Sequence, residues 1–173
     1  MILITKTGII SAFESLISID KGAFMNKIRQ ATMGDIARLA EIEVFNYRLH
    51  FYSIIKSDWF YFDELQVPKV MEQYQQKRSL VDNTYVYDDG VIKGFLRLEG
   101  KQVKKLFVEP VLQGNAIGAE LLEYAIQEHG VTYLWALEKN EKAIAFYQRH
   151  GFRVTDEKML EEGTTEYLVR LER

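Results

Sequence analysis

Between residues 84 and 108, three strand-forming runs alternate with two short turns. The runs cover residues 84–87, 91–98 and 102–108, and the turns read Asp88-Asp89-Gly90 and Glu99-Gly100-Lys101. Turns of this length join neighbouring antiparallel strands, whereas parallel strands need a long crossover. The segment therefore predicts an antiparallel β-meander.

Helical signals precede this meander. Thr32 and Asp35 are typical of a helix start, and the apolar spacing that follows predicts a helix to about Asn46. Pro68 suits the first turn of a second helix that ends near Lys77. The aromatic-rich stretch between the two, residues 47–62, has no clear period.

The chain after the meander alternates helix and strand. The pattern predicts a helix from about Ala116 to Gln127, a strand over residues 133–137, and a helix that Asn140 caps and Gly151 ends. Two final strands are predicted over residues 152–154 and 166–171. The order βαα, meander, αβα and closing hairpin predicts an α+β fold in one domain.

Composition limits the classes of function. The chain has 173 residues, enough for one domain with its own core, a net charge of −3 and a pI of about 5.7. A nucleic-acid binder usually carries a basic excess, so no nucleic-acid partner is expected. With no cysteine, disulfides and thiol nucleophiles are excluded. The 3 histidines show no metal-ligand spacing, so no metal is expected.

The first 24 residues are predicted to be an extension ahead of the domain. Charged residues (Lys6, Glu14, Asp20 and Lys21) interrupt their apolar runs, which fit neither a membrane span nor a signal peptide. Met25 directly precedes the first strand-like run and is a candidate for the native start. We expect residues 1–24 to be an extension that is either absent from the native protein or an arm packed on the domain. We expect residues 25–173 to form the domain, and the protein to be cytoplasmic without a membrane partner.

A loop with two glycines, residues 113–118, lies between a predicted strand and a predicted helix. Small residues let the backbone approach an oxygen-rich ligand, and the free amides and dipole of a helix start favour an anion such as a pyrophosphate. The alternative is a plain tight turn with Asn115 as the helix cap. No Gly-Lys-Ser or Gly-Lys-Thr follows, and the glycine spacing does not match a dinucleotide fingerprint, so both of those nucleotide sites are excluded.

Two segments carry a specific resemblance. Residues 103–122, Val-Lys-Lys-Leu-Phe-Val-Glu-Pro-Val-Leu-Gln-Gly-Asn-Ala-Ile-Gly-Ala-Glu-Leu-Leu, resemble motif A of the GCN5-related N-acetyltransferases, the GNAT family. Residues 140–152, with the pattern Asn-x-x-Ala-x-x-Phe-Tyr-x-x-x-Gly-Phe, resemble motif B of that family. The resemblance in layout extends from about Lys27 to the carboxyl end. It implies a mixed, largely antiparallel central sheet that is flanked by helices and splayed between its two central strands.

The resemblance also implies an acetyl-CoA-dependent N-acetyltransferase that moves the acetyl group directly to a primary amine of a small molecule or peptide. Acetyl-CoA would be a co-substrate. Its pantetheine arm would lie along Leu106, Phe107 and Val108, and the amide of Leu106 would stabilise the developing oxyanion. Its pyrophosphate would be held by the loop residues Gln113, Gly114, Asn115, Ala116, Ile117, Gly118 and Ala119.

Tyr147 matches the family's tyrosine that protonates the leaving thiolate, so Tyr147 and Leu106 are the expected catalytic residues. The alternative for Tyr147 is a core tyrosine packed beside Phe146. Asn140 would contact the pantetheine, cap the last helix, or do both.

Two positions depart from the family pattern. Ala116 replaces the usual first glycine of the loop, where a methyl group is tolerable inside a helix and crowds the pyrophosphate outside one. Gln102 stands where some members carry a glutamate base, and an amide cannot accept the proton. Glu99 and Glu138 are substitute candidates, each with the alternative of a surface acid. These departures leave open a second function, a non-catalytic acyl-CoA-binding regulatory module.

The acceptor site is expected from residues 45–65, which shape the acceptor pocket in the family. Aromatic and acidic residues there suit a cationic amine, with the alternative that the aromatics belong to the core. The aromatic candidates are Tyr52, Trp59, Phe60 and Tyr61, and the acidic ones are Asp58, Asp63 and Glu64. The family also implies that the chain can form a homodimer through exposed strands near its end.

Overall fold

The computed structural model describes residues 27–173, so the predictions for residues 1–24 lie outside the described residues. A sheet of seven strands runs through them in the order β1-β2-β3-β4-β5-β7-β6. The strands are β1 (Ile28–Gln30), β2 (Thr84–Asp88), β3 (Ile92–Glu99), β4 (Gln102–Val108), β5 (Tyr133–Leu137), β6 (Arg153–Leu160) and β7 (Tyr167–Glu172). All neighbours are antiparallel except β4 and β5, and the predicted meander is confirmed as β2-β3-β4.

The two central strands, β4 and β5, pair over only a short distance. Gln102 lies opposite Tyr133 and Val103 opposite Leu134, and no later pair follows. Beyond this point β4 stays paired to β3 as far as Val108, while β5 stays paired to β7. Since both strands run in the same direction, they separate toward their carboxyl ends. The predicted splay is confirmed.

Helices cover both faces of the sheet. They are α1 (Ile36–Asn46), α2 (Tyr52–Ile55), α3 (Val67–Gln76), α4 (Arg78–Asp82), α5 (Ile117–His129) and α6 (Glu141–Arg149). Strand alternation divides the core, because the adjacent residues Phe95 and Leu96 of β3 belong to different clusters. Phe95 packs with α1 and α3, and Leu96 packs with α5 and α6. Over residues 27–173 no helix is both long and apolar enough to cross a bilayer.

The predicted start of the first helix is confirmed by its side chains. The Asp35 carboxylate accepts hydrogen bonds from the backbone amide of Thr32 at 2.7 Å and from its hydroxyl at 2.9 Å. A 3-10 turn, Met33–Asp35, leads from there into α1. The predicted second helix is α3, with Pro68 in its first turn.

Two regions differ from the predicted pattern. The stretch without a clear period contains two π-helical segments, Tyr47–Phe51 and Trp59–Glu64, whose wider turns do not follow the 3.6-residue spacing of an α-helix. Strand β6 extends beyond the predicted residue 154 to Leu160, and its register with β7 shifts between Val154 and Lys158. That bulge interrupts the alternation from which a strand is predicted.

Candidate active site

The gap between β4 and β5 opens into a cleft of about 1240 Å³. It is lined by the edge of β4, the start of α5, the inner side of α6 and residues 47–55. All the predicted coenzyme-binding residues line it except Asn115. The splay therefore collects both motifs around one cavity.

A bulge shapes the wall of the cleft that β4 provides. Arg97 pairs with Lys105 and Leu98 with Val103, so Lys104 is an extra residue on β4. A bulge re-aims the residues that follow it, here Leu106 to Val108. In an antiparallel strand alternate amides point away from the neighbouring strand, and those of β4 that turn from β3 face the cleft.

The loop before α5 presents free amides to the same cleft. A 3-10 turn, Pro110–Leu112, closes β4, and Gly114 follows with a φ of +88°. The first amide of α5 with a backbone partner is that of Glu120, which donates to the Ala116 carbonyl at 2.9 Å. Within the described chain, the amides of the three preceding residues, Ile117, Gly118 and Ala119, have no acceptor. Three free donors and the helix dipole make a binding site for an anion.

Ala116 lies outside the helix, in a left-handed conformation in which the backbone crowds its methyl group. Its φ of 62° and ψ of −8° are left-handed, and α5 begins one residue later than predicted. For a residue with a Cβ this conformation costs about 1–2 kcal/mol relative to the right-handed one. Alanine is therefore tolerated here at the expense of backbone strain.

Asn115 does not cap α5, so the alternative of a plain capped turn is wrong. Its side-chain amide donates to the Leu112 carbonyl at 3.0 Å and closes the 3-10 turn instead. No side chain accepts from the first amides of α5 in the part of the chain that is described. The end of the helix stays open toward the cleft.

A buried asparagine that sequence reasoning missed connects the loop to α1. Asn46, 1% exposed, donates to the Val108 carbonyl at 3.0 Å and accepts from the Gln113 side chain at 3.1 Å. The Gln113 amide also contacts Nε2 of His50 at 2.9 Å. Burial, together with the charge of Lys142, lowers the pKa of His50. Only the tertiary structure brings these residues together, because the sequence pattern marks Asn46 merely as a residue in the last turn of α1.

Tyr147 both packs in the core and lines the cleft. Its ring is 9% exposed and packs edge-on against Phe146 at 5.2 Å and Phe152 at 6.0 Å between ring centroids. It also lines the cleft, and among residues 27–173 no group hydrogen-bonds its hydroxyl. Burial raises the pKa of Tyr147 above its usual value, so the phenol keeps its proton. The ring is core, and the hydroxyl is available as a proton donor.

Asn140 caps α6, which confirms one of its two predicted roles. Its Oδ1 accepts a hydrogen bond from the Ala143 amide at 3.2 Å, and the residue also lines the cleft.

The two candidate bases lie away from the cleft. Glu99 pairs with Lys104 at 3.0 Å and Glu138 pairs with Lys158, and all four side chains are well exposed. The structure therefore places both as surface acids. A different carboxylate, Glu161, lines the cleft, and burial together with the charge of Glu162 raises its pKa. It follows β6, whose length the pattern underestimated, so no sequence signal marked it.

The aromatic stretch contributes to the cleft through its first half. Tyr61 is fully buried and belongs to the core. Trp59 and Phe60 line a separate cavity of about 340 Å³, and the Tyr52 hydroxyl donates to Asp58 at 2.6 Å. The residues of this region that face the cleft are Tyr47, Leu49, His50, Phe51, Ser53, Ile54 and Ile55. The predicted aromatic residues therefore do not line the cleft, and residues nearer the amino end of the stretch line it instead.

A buried charge cluster holds β4 against α1. Glu43 accepts from the Tyr74 hydroxyl at 2.8 Å and contacts the ammonium of Lys105, with Arg97 at 3.5 Å. Burial alone would raise the pKa of Glu43, but the charges of Lys105 and Arg97 hold it below its usual value. Lys105 also lies 5.2 Å from the centroid of the Tyr47 ring. The cluster fixes one wall of the cleft beside the bulge.

Comparisons of the sequence with known proteins find similarity to acetyltransferases. Residues 81–154 match the family model described as an acetyltransferase (GNAT) domain. The chain is 37% identical to the peptidyl-lysine N-acetyltransferase YiaC of Escherichia coli K12 over 70 residues, which cover 40% of this chain and 48% of that protein. The matched part spans less than half the length of the curated relatives.

Solved structures share the fold over most of the chain. The apo form of YjaB from Escherichia coli aligns with a TM-score of 0.61 at 23% identity, covering 84% of this chain and 95% of that one. An N-acetyltransferase, PaiA from Thermoplasma acidophilum in complex with coenzyme A, aligns with a TM-score of 0.60 at 19% identity, covering 84% and 98%. At this identity the likeness concerns the fold alone.

Proposed function

We propose that this chain, in which residues 81–154 match the acetyltransferase (GNAT) domain model, is a GNAT enzyme that transfers an acetyl group from acetyl-CoA to a primary amine, with the side chain of a peptide lysine as the acceptor class. The observation that carries the proposal is the continuous cleft from the unpaired edge of β4 to the open start of α5. The names of the curated relatives, which are peptidyl-lysine N-acetyltransferases, support the acceptor class.

The residues present fit acetyl-CoA as the co-substrate. The unpaired β4 edge at Leu106 to Val108 can hydrogen-bond the amides of a pantetheine arm as a neighbouring strand would. The free amides at the start of α5 suit its pyrophosphate. Lys142, at the start of α6, lines the same cleft and adds a positive charge near the phosphates.

The proposed reaction is a direct transfer, because the chain has no cysteine to carry the acetyl group. The amine nitrogen attacks the thioester carbonyl, and negative charge develops on its oxygen. An amide of the bulged strand near Leu106 stabilises that charge. Tyr147 then donates its proton to the departing thiolate, which its protonated state permits.

The acceptor side of the cleft suits a lysine side chain. Tyr47, Phe51, Ile54 and Ile55 form an apolar, half-buried wall that matches the methylene stem of lysine. The net charge of −3 favours a cationic acceptor over a polyanionic one.

A thiol-release assay with acetyl-CoA tests the proposal against lysine peptides and small amines such as spermidine. We expect turnover with at least one lysine peptide at a higher kcat/KM than with the small amines. Calorimetry with acetyl-CoA provides the control, because it reports coenzyme binding independently of turnover. Tight binding without turnover on any amine would instead identify the alternative, a non-catalytic acyl-CoA-binding module.

A further inference from the structure

The proposed reaction needs a group that removes a proton from the acceptor. A lysine ammonium has a pKa of about 10.4, so almost none of it is a free amine at neutral pH. Gln102 lines the cleft where some family members carry a glutamate, and its amide cannot take the proton. Among the described residues only two carboxylates line the cleft, Glu141 and Glu161. Glu141 is exposed at the start of α6, whereas Glu161 is half-buried.

Backbone and side-chain contacts hold Glu161 in place. Its amide donates to the Glu166 carbonyl at 2.8 Å, and its carbonyl accepts from the Thr164 hydroxyl at 2.9 Å. Glu166 in turn forms an ion pair at 2.8 Å with Lys139, which lies just beyond the end of β5. These contacts fix the β6–β7 turn, which carries Glu161, to the carboxyl end of β5. That is the end at which the cleft opens.

The charges around Glu161 leave its carboxylate available to a ligand. Lys104 and Lys105 of β4 are near enough to act on it, but they are paired with Glu99 and Glu43. No cation within residues 27–173 forms an ion pair with Glu161 itself. Glu162, on the same turn, adds a negative charge.

Glu161 faces the stretch of β4 that the acceptor wall also faces. Lys105, whose charge reaches Glu161, lies over the ring of Tyr47. The two histidines that line the cleft are engaged elsewhere. Nε2 of His50 contacts the Gln113 amide at 2.9 Å, and Nδ1 of His150 contacts the Phe146 carbonyl at 2.8 Å.

We infer that Glu161 binds the acceptor ammonium and takes its proton before the transfer, an inference that rests on the proposed function. One N–H proton moves to the Glu161 carboxylate, the freed nitrogen forms a bond to the thioester carbon, and the C–S bond breaks. The thiolate receives its proton from Tyr147, and the acylated nitrogen releases its second proton to solvent. Solvent also takes the proton from Glu161 and returns one to Tyr147. Burial and the charge of Glu162 raise the pKa of Glu161 above its usual value, which makes the carboxylate a stronger base than an exposed one.

The test compares Glu161→Gln with the control Asp156→Asn, which removes an exposed carboxylate of β6 that does not act on Glu161. Steady-state kinetics use acetyl-CoA and a lysine peptide that the wild-type chain acetylates. At neutral pH we expect Glu161→Gln to lower kcat/KM about 100-fold, with acetyl-CoA binding by calorimetry unchanged. Asp156→Asn should stay close to wild type, because that side chain does not line the cleft.

The pH profile separates a proton acceptor from a merely structural residue. The wild-type kcat/KM should level off above the pKa of Glu161, whose carboxylate is then available. In Glu161→Gln only the free amine reacts, so kcat/KM should keep rising toward the lysine pKa of about 10.4 and the deficit should shrink. Without such alkaline recovery, or with equal losses in both variants, Glu161 is not the proton acceptor.

Wild-type turnover makes the two failures distinguishable. If the wild type acetylates lysine peptides and Glu161→Gln does so equally well, this inference fails and the proposed function stands. If the wild type binds acetyl-CoA but acetylates no amine, the proposed function fails and this inference fails with it.

Discussion

The two sides of the cleft are built from different parts of the chain. On the proposed donor side, the edge of β4 and the start of α5, the groups that face the cleft are backbone amides. On the proposed acceptor side, residues 47–55 and the β6–β7 turn, they are side chains from distant segments. Backbone donors suit the part of a substrate that never changes, whereas side chains can vary with the acceptor.

The largest expected effect separates chemistry from binding on the donor side. Tyr147→Phe should lower kcat about 100-fold or more, because the thiolate loses its proton donor, while the packing of the ring is kept. Acetyl-CoA binding should not change. A thiol-release assay and calorimetry measure the two quantities.

The matched control for this variant is Tyr124→Phe. Tyr124 is a half-buried tyrosine whose pKa is likewise raised by burial, but it packs against Tyr85 and His129 away from the cleft. Full turnover by Tyr147→Phe, or a similar loss in Tyr124→Phe, would remove Tyr147 from the proposed mechanism.

The next effect tests whether the donor side depends on exact backbone placement. A Cβ on Gly94 of β3 would lie 2.8 Å from the Phe107 carbonyl oxygen and 3.2 Å from the Cα of Val108. Gly94→Ala should therefore displace β4 and lower the free energy of unfolding by about 2 kcal/mol. Urea denaturation measures this change.

Gly34→Ala is the control, since its Cβ would meet only the Thr32 hydroxyl at 3.6 Å. It should change the free energy of unfolding by less than about 0.5 kcal/mol. Two variants with equal stability would show that β3 and β4 can move apart freely at this point.

A smaller effect is expected on the acceptor side. Ile54→Ala should raise the KM for a lysine peptide roughly fivefold, equivalent to about 1 kcal/mol of apolar contact, and leave the KM for acetyl-CoA unchanged. Phe62→Ala is the control, because Phe62 is exposed and does not line the cleft. A shift in the acetyl-CoA KM instead would show that the two sides are not separate.

The smallest effect concerns the strained residue of the loop. Ala116→Gly should raise the free energy of unfolding by about 0.5–1 kcal/mol, since glycine adopts the left-handed conformation without strain but loses more chain entropy on folding. Ala119→Gly, inside α5, should lower it by up to about 1 kcal/mol. Urea midpoints with and without coenzyme A compare the two variants, and changes of the same sign would contradict the left-handed conformation.

The donor side was predictable because its signals are local. Gly114 and Gly118 flank a helix start, Asn140 begins the last helix, and the short turns of the meander allow only antiparallel pairing. For the proposed acceptor side, the aromatic residues predicted from residues 45–65 do not line the cleft, whereas others of that region do. Trp59 and Phe60, in the second π-helical segment, line a separate cavity. Phe51 of the first π-helical segment and Ile54 of α2 line the cleft.

The amino-acid sequence alone was enough for the α+β order, the open helix start and the place of Tyr147, because each depends on neighbouring residues and backbone preferences. The tertiary structure decided the left-handed Ala116, the contact of Asn46 with Gln113, and Glu161 in the cleft. Those features depend on packing between segments far apart in the chain, and no spacing in the sequence records such distances.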